Sequence, residues 1–515
     1  MSDPRLLYEQ GMAAIRQGNP DAALRPLKDA LTADPTQAGF WLGYATALLA
    51  VGEAPVAAAI LQEGAKRGLK GPGFASLAAQ FNIADSEATY AAASRLHQDG
   101  HWGPAIRGYG LVILADPGHL AAHANLGNAR MTVGNADGAA AAFRRALILA
   151  PNDAELHNSL GLALGEQNLT QAAEDAYRHA IALAPNFAQP HHNLGCLLLR
   201  ANRPGDAITL LRRAIALNPD LAGSYVSLAT ALCAAGKTAD SFAVFTEHAE
   251  RFGAAPEQSP PAPHKARHDR EQRAYLGLDE DAPPDVPLRL VDGSRINGAA
   301  LQPGHRDAAA RIWADSRPQI VVIDDFLSPA ALEKLRLFCW GSTVWRQVYD
   351  DGYLGAMPEQ GFACPLLAQI AEEMPRAYPE IFAKLPLRYL WGFKYDSSLK
   401  GINIHADKAA VNVNFWITPD SANRDPEHGG LVVWDKAAPL DWEPDQYNGD
   451  IAASRAYLAS TGAKPVTIPY RANRVVIFDS DLFHETDRID FAPGYCNRRI
   501  NITLLYGDRK PDEPG

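Results

Sequence analysis

The chain has 515 residues, of which 47% are apolar and 21% charged. That balance excludes a wholly disordered polymer, and the length allows about two to four domains. Lys and Arg number 48 against 59 Asp and Glu, a net charge of −11. Nucleic acid is therefore not expected as a partner, because phosphate binding calls for a basic surface. Cys196, Cys233, Cys339, Cys364 and Cys496 are far apart, with no CxxC pair. Neither a disulfide framework nor a thiolate zinc site is expected, and a reducing compartment fits. The opening MSDPRLLYEQ lacks the basic start and apolar run of a signal peptide. No uninterrupted apolar run of about 18 residues exists to span a bilayer. The expected setting is cytoplasmic, away from membranes.

Residues 1–255 repeat. Pro117, Pro151, Pro185 and Pro219 recur at steps of 34, as do Gly127, Gly161 and Gly195, and Ala105, Ala139, Ala173 and Ala207. A bulky residue keeps the same phase at Tyr109, Phe143, Tyr177, Leu211 and Phe245. Each period reads as two amphipathic helices. The small positions let them approach, the bulky position fills the gap, and Pro stops the second helix. One such unit cannot bury its apolar face alone, so neighbours stack. The pattern resembles the tetratricopeptide repeat (TPR). That resemblance implies an all-α solenoid of about seven repeats over 1–255, one degenerate, with a phase break at 72–85.

The groove of such a solenoid is expected to bind a protein or peptide. His123, His157 and His191 are in phase. Helix axes packed about 8–10 Å apart cannot share one ion whose bonds are about 2 Å long, so these histidines are expected to be structural or surface groups. Asn125 and Asn193, with Ser159 and Ser227 in phase, resemble the peptide-gripping asparagine ladder of the O-GlcNAc-transferase repeats. A solvated polar face is the other reading of that row.

Proline density marks 256–288 as a linker, within which HKARHDREQRAYL can form a helix. The composition then changes. QIVVIDDFLSP reads as a strand and turn and AALEKLRLFCW as a helix. YLWGFKYD, VNVNFWIT, GGLVVW, KPVTIPY, NRVVIFD and NRRINITLLYG read as short strands. Residues 289–515 are thus expected to form a double-stranded β-helix, or jelly roll, with flanking helices.

His405 and Asp407 in NIHAD are two apart on an extended segment and so face the same way. His484 in DLFHETD supplies a second imidazole. Two imidazoles and a carboxylate that leave three positions open are the ligand set of non-haem Fe(II) oxygenases. An isolated HxD is weak evidence. His305-Arg306-Asp307 repeats it in a polar, helical context and is set aside.

The surroundings strengthen the first copy. Residues 319–507 resemble the 2-oxoglutarate- and Fe(II)-dependent dioxygenase superfamily, nearest its prolyl-hydroxylase-like branch. The similarity lies in VVIDDFLSP, in Tyr395 ten residues before His405, and in Gly429-Gly430-Leu431. It extends to ANRVVIFDSDLFHE, which looks like the strand delivering the distal histidine, and to Arg499, 15 residues after His484. The resemblance implies Fe(II) on His405, Asp407 and His484, which form the catalytic centre. It implies 2-oxoglutarate with its far carboxylate on Arg499, beside Tyr395, Asn501 and Thr503, and O2 as the oxidant, with ascorbate as an optional reductant. A guanidinium grips a carboxylate through two parallel hydrogen bonds. Arg499, Asn501 and Thr503 share a strand face, and Arg498 points away. The spacing from His484 is longer than usual, which leaves Arg498 open as the anchor.

Asn414 is a candidate for the cavity wall, Asn473 and Arg474 for the turn before the His484 strand, and 434–460 for a lid. The leading function is hydroxylation of a protein or peptide recruited by the solenoid. The alternatives are a small-molecule oxygenase that uses the repeats only for assembly, and a TPR scaffold whose oxygenase domain is inactive or senses. The sequence leaves open the substrate, the choice between hydroxylation and demethylation, and the oligomeric state.

Overall fold

The structure is a computed structural model and describes residues 3–81, 85–253, 262–278, 288–302, 304, 306–382, 384–396 and 401–509. It divides into two compact units, 1–201 and 202–515. No helix among the described residues is long and apolar enough to cross a membrane. No disulfide joins any of the five cysteines among the described residues.

The first unit is a run of antiparallel helix pairs, such as Leu120–Thr132 with Ala136–Leu149 and Ala154–Glu166 with Thr170–Leu183. Side-chain caps start several of the helices. Asn135 accepts from the Gly138 N–H, and Asp153 from those of Glu155 and Leu156. Two of the in-phase glycines, Gly127 and Gly161, are there for contact. A Cβ on Gly127 would lie 2.4 Å from the Phe143 ring, and one on Gly161 2.6 Å from Tyr177. The in-phase histidines are structural, as expected. Their Nε2 atoms bond the carbonyl oxygens of Pro117, Pro151 and Pro185 at 3.0, 2.9 and 3.0 Å, tying each helix to the loop before it.

Where the phase breaks, the extra helix Pro72–Ala79 buries Phe74 and Leu77 in a cluster with Trp41 and Leu61. The buried Arg130 spans the break. It donates to Val51 O at 3.1 Å, to Gly138 O at 3.0 Å and to Glu53 at 2.9 Å.

The second unit begins earlier than the proline pattern implied. Helices Ala222–Ala234 and Thr238–Phe252 share a core with the C-terminal half, where Phe242 and Phe245 join Phe362, Leu366 and Ile370. His248 Nδ1 bonds Glu359 O at 2.8 Å. The repeats thus run on into the second compact unit, whose boundary at 201/202 falls before the expected end of the repeats at 255. The last repeat has no following repeat to cover its apolar face, and helix Pro365–Ala377 packs there instead. Within the expected linker, Pro263–Tyr275 is a helix with Lys265, His268, Asp269, Gln272 and Arg273 buried.

Ten strands lie among the described residues: β1 Ile320–Ile323, β2 Gln347–Tyr349, β3 Tyr353–Ala356, β4 Leu387–Tyr395, β5 Val411–Trp416, β6 Leu431–Ala437, β7 Pro465–Ile468, β8 Val475–Asp479, β9 Leu482–Thr486 and β10 Ile500–Tyr506. They form a seven-stranded sheet, β1-β8-β5-β10-β4-β3-β2, and a three-stranded sheet, β7-β6-β9. Every pairing is antiparallel. Trp416, Val476 and Phe478 of the large sheet and Leu431, Val433 and Ile468 of the small one share a buried cluster. The opposite face of the large sheet, with Val413, Phe415, Ile477, Ile502 and Leu504, packs in the main core.

Two expectations change, and two strands are added to those expected. ANRVVIFDSDLFHE is two strands in two sheets, because a turn at Ser480–Asp481 breaks it, with Asp479 Oδ1 accepting from the Asp481 N–H at 3.0 Å. The stretch 434–460 is not an irregular lid. It holds the end of β6 and most of helix Ile451–Thr461, and Ala438, Tyr447 and Leu458 pack against Ile404, Ala406 and Phe483. β2 and β3 were not read from the sequence, since runs of three and four residues show too little alternation. Asn473 does shape the turn before β8, clasping the Leu327 backbone at 2.8 and 2.9 Å, and Arg474 grips Asp324. His305 lies outside the described residues; Asp307 lies in the first turn of the helix Arg306–Asp315.

Gly127→Ala should destabilise the first unit by about 1–3 kcal/mol, the usual cost of overpacking. Urea denaturation followed by circular dichroism reads this directly, and an unchanged midpoint would contradict the ring contact.

Candidate metal centre and anion pocket

His405 and His484 form an isolated antiparallel bridge. The His405 N–H donates to His484 O at 3.0 Å and the His484 N–H to His405 O at 2.8 Å. The two rings stand 4.2 Å apart, centre to centre. Asp407, two residues on, returns to the same side. Its Oδ1 is 3.9 Å from His405 Nε2 and its Oδ2 is 3.4 Å from His484 Nε2. One donor atom from each residue lies within 4.8 Å of the others.

The donors are oriented. His405 Nδ1 bonds Asn403 O at 2.8 Å and His484 Nδ1 bonds Leu482 O at 3.0 Å. A carbonyl only accepts, so Nδ1 carries the hydrogen and Nε2 is left with its lone pair toward the cluster. Asn412 Nδ2 donates to Asp407 Oδ2 at 2.7 Å, and Asn414 Nδ2 to Asn412 Oδ1 at 3.2 Å. The sequence reading missed Asn412. The N-x-N alternation in VNVNFW was the signal, since residues two apart on a strand face one way.

Electrostatics keeps the set ready to bind a cation. Burial, aided by neighbouring His484, brings the His405 imidazole down from 6.5 to about 4. Burial pushes the Asp407 carboxyl up, but the polar surroundings of His484 and His405 and the hydrogen bond from the Asn412 amide outweigh it, and the pKa falls below the ordinary value. Near neutral pH His405 is thus uncharged and Asp407 ionised, which suits a divalent metal.

The same cavity is lined by Trp391, Phe393, Tyr395, Asn501, Thr503 and Arg499. Arg499 is 1% exposed. Its Nε donates to Gly429 O at 2.7 Å and an Nη to Gly430 O at 3.0 Å. Its guanidinium carbon lies 4.7 Å from the Tyr395 ring centre and 5.6 Å from that of Trp416. Only glycine suits the paired carbonyls. Gly429 has φ +86°, and a Cβ on Gly430 would fall 2.0 Å from Ile468 O.

The remaining Nη of Arg499 has no hydrogen-bond partner among the described residues, and neither do Asn414 Oδ1 and Asn501 Oδ1. Asn501 Nδ2 donates to Thr503 Oγ1 at 3.2 Å. A buried guanidinium with an unused donor fits a carboxylate, because an uncompensated buried charge is costly. Arg498 faces the other way. It bonds Glu271 at 2.9 Å and Asp396 at 3.2 Å, so its charge is already matched. Asn125 and Asn193 lie in the repeat unit, partly buried. Their amides bond Tyr90 OH and Asn158 Oδ1, each at 2.9 Å, which commits both groups to neighbouring repeats.

Residues 14–81, 124–186 and 192–258 match the tetratricopeptide repeat family, so these segments are TPRs. Among solved structures, MamA is 24% identical, with 33% of this chain and 97% of that chain covered and a TM-score of 0.31. YrrB, described as a TPR protein with an unusual peptide-binding site, is 18% identical, covering 38% and 95% with a TM-score of 0.27. A thermophilic TPR protein from Thermus thermophilus is 18% identical, covering 44% and 98% with a TM-score of 0.25. A comparison with curated proteins finds no match.

Two outcomes are expected. Asn412→Leu should weaken binding of a divalent first-row metal by about 10- to 100-fold, as loss of an outer-shell partner does, with the fold retained by circular dichroism. Metal competition titration measures it. The second concerns pH. An unfolded histidine titrates near 6.5 and folded His405 near 4, so between these values the unfolded chain binds more protons. Stability contributed above that window is lost as pH falls through it. In metal-free protein, His405→Asn should flatten the decline in melting temperature between about pH 6.5 and 4.

Proposed function

We propose that the C-terminal unit is an Fe(II)- and 2-oxoglutarate-dependent dioxygenase of jelly-roll architecture that hydroxylates a protein or peptide recruited by the TPRs. The observation that carries this reading is the meeting, in one cavity, of the His405–Asp407–His484 donors with a buried arginine that has a donor to spare. The two antiparallel sheets with a shared core support the jelly-roll reading.

His405, Asp407 and His484 would hold the iron through Nε2, a carboxylate oxygen and Nε2. Arg499 would hold the far carboxylate of 2-oxoglutarate, with Asn501 and Thr503 beside it. When bound, Fe(II) and 2-oxoglutarate supply oxidation of a C–H bond by O2, with conversion of the cosubstrate to succinate and CO2. The protein's own work is positioning. The Asn403 and Leu482 carbonyls fix the imidazole tautomers, and Asn412 fixes the carboxylate. The Gly429 and Gly430 carbonyls aim the guanidinium. Tyr395 and Trp416 cover its faces and keep water from it. A TPR module on the same chain raises the local concentration of its target at the cavity.

Succinate formation by wild-type protein, His405→Ala and Asp407→Ala tests the reading. Turnover should be lost in both variants with the fold intact, and equal turnover in all three proteins would overturn it. Arg499→Leu should raise the 2-oxoglutarate requirement by more than about tenfold, the value of a lost charge-assisted hydrogen bond pair. To separate recruitment from assembly, the cut belongs at 201/202, since the last repeat shares the C-terminal core. Residues 202–515 should lose turnover on a folded target yet retain uncoupled cosubstrate oxidation.

A further inference from the structure

Helix Pro263–Tyr275 has an unusual buried face: Lys265, His268, Asp269 and Arg273 are all shielded from solvent. Charges are buried where they meet partners, and Lys265 with Asp269 at 2.5 Å is one such pair. The helix also reaches the outer face of β4 and the lead-in to β10. Glu271 accepts from Arg498 Nε at 2.9 Å. Arg267 pairs with Asp396, which also accepts from Arg498 at 3.2 Å. The Gln272 amide donates to Ser342 O at 2.9 Å and Trp340 O at 3.2 Å. Beneath lies Lys394, 1% exposed, its amine 3.4 Å from the Tyr495 ring centre.

These outward groups are immediate neighbours of the pocket. Side chains alternate along extended chain. Asp396 follows Tyr395, and Arg498 precedes Arg499. The Tyr395 N–H donates to Arg499 O at 2.9 Å, so the two segments are joined where the outward pair Asp396–Arg498 backs the inward pair Tyr395–Arg499. A shift of the outward pair moves the backbone that aims the pocket's guanidinium.

We propose that helix Pro263–Tyr275 is a positioning strap for the anion pocket, acting through Glu271, Arg498 and Asp396 on the backbone of Tyr395 and Arg499. Docking of the strap and binding of a dicarboxylate in the pocket then favour each other, since coupling between two sites is reciprocal. The inference rests on the dioxygenase reading, with 2-oxoglutarate as the dicarboxylate. Glu271, Arg498 and Asp396 touch neither metal donors nor cosubstrate and are positioning residues.

The test uses the full-length chain with Mn(II). Amide hydrogen exchange over 263–275 should slow when 2-oxoglutarate is added to the wild type, a measurement that needs no variant. Glu271→Gln, at a partly exposed position of the strap, should weaken 2-oxoglutarate binding by about three- to tenfold in calorimetry. Mn(II) affinity should stay the same, and Glu271→Asp should recover most of the loss. A merely structural role would lower the melting temperature without separating anion from metal affinity. Wild-type binding of 2-oxoglutarate with unaltered exchange in the strap, or equal affinity in Glu271→Gln, overturns the strap alone. Absence of 2-oxoglutarate binding to the wild type overturns the dioxygenase reading and the strap with it.

Discussion

Two reciprocal backbone hydrogen bonds between His405 and His484 are the constraint on which the C-terminal site depends. They join an irregular run after β4 to the small sheet, and a directly paired bridge leaves both rings on one side. Asp407 then has little choice of position, because its main chain is bonded to Ser480 O at 3.2 Å. Everything nearby supports that arrangement. Ile404 and Ala406 point backward into a cluster with Tyr447, Leu458 and Phe483, so the strand-like alternation separates an apolar back from a polar front. A carboxylate between two imidazoles would be expensive to bury alone, and the Asn412 hydrogen bond helps to offset that cost.

The same alternation sorts charge across the junction of β4 and β10. Inward, Arg499 lies between aromatic rings with a donor unused. Outward, Arg498 is matched by two carboxylates. Two adjacent arginines thus have opposite electrostatic situations, one neutralised by its own chain and one left for something else. Lys394, also outward, is deeply buried, and burial presses its amine well below its ordinary pKa. Its amine stands over the Tyr495 ring, 3.4 Å from the centre, and burial is what disfavours its charged form.

The repeat unit is held by a simpler rule. A missing Cβ at Gly127 or Gly161 makes room for a ring in the partner helix, and the rule recurs because the period does. Where the period fails, a buried arginine and an added helix bridge the gap. Where it ends, the last repeat, itself part of the second unit, is covered by helix Pro365–Ala377. An unfinished apolar face has to be covered, and the chain nearest to hand covers it.

Much of this was legible in the residues. The TPR period needed no tertiary information, because each repeat packs on its immediate neighbours and so writes its contacts into local spacing. Most strands of the C-terminal half showed as short β-branched runs, and the alternation in RRINIT assigned Arg499 and Arg498 to opposite faces. Periodicity, however, reports that a face is buried and not what buries it. The switch of sheet at Ser480–Asp481, the grip of Asn412 on Asp407, the packing of 438–461 behind His405 and the docking of a charged helix from within a proline-rich stretch all depend on partners remote in sequence. By itself the sequence determined the local elements and the short list of reactive side chains. Only the tertiary structure decided which of them meet, because pairing between distant segments is settled by the packing of two sheets and leaves no mark on the spacing within either.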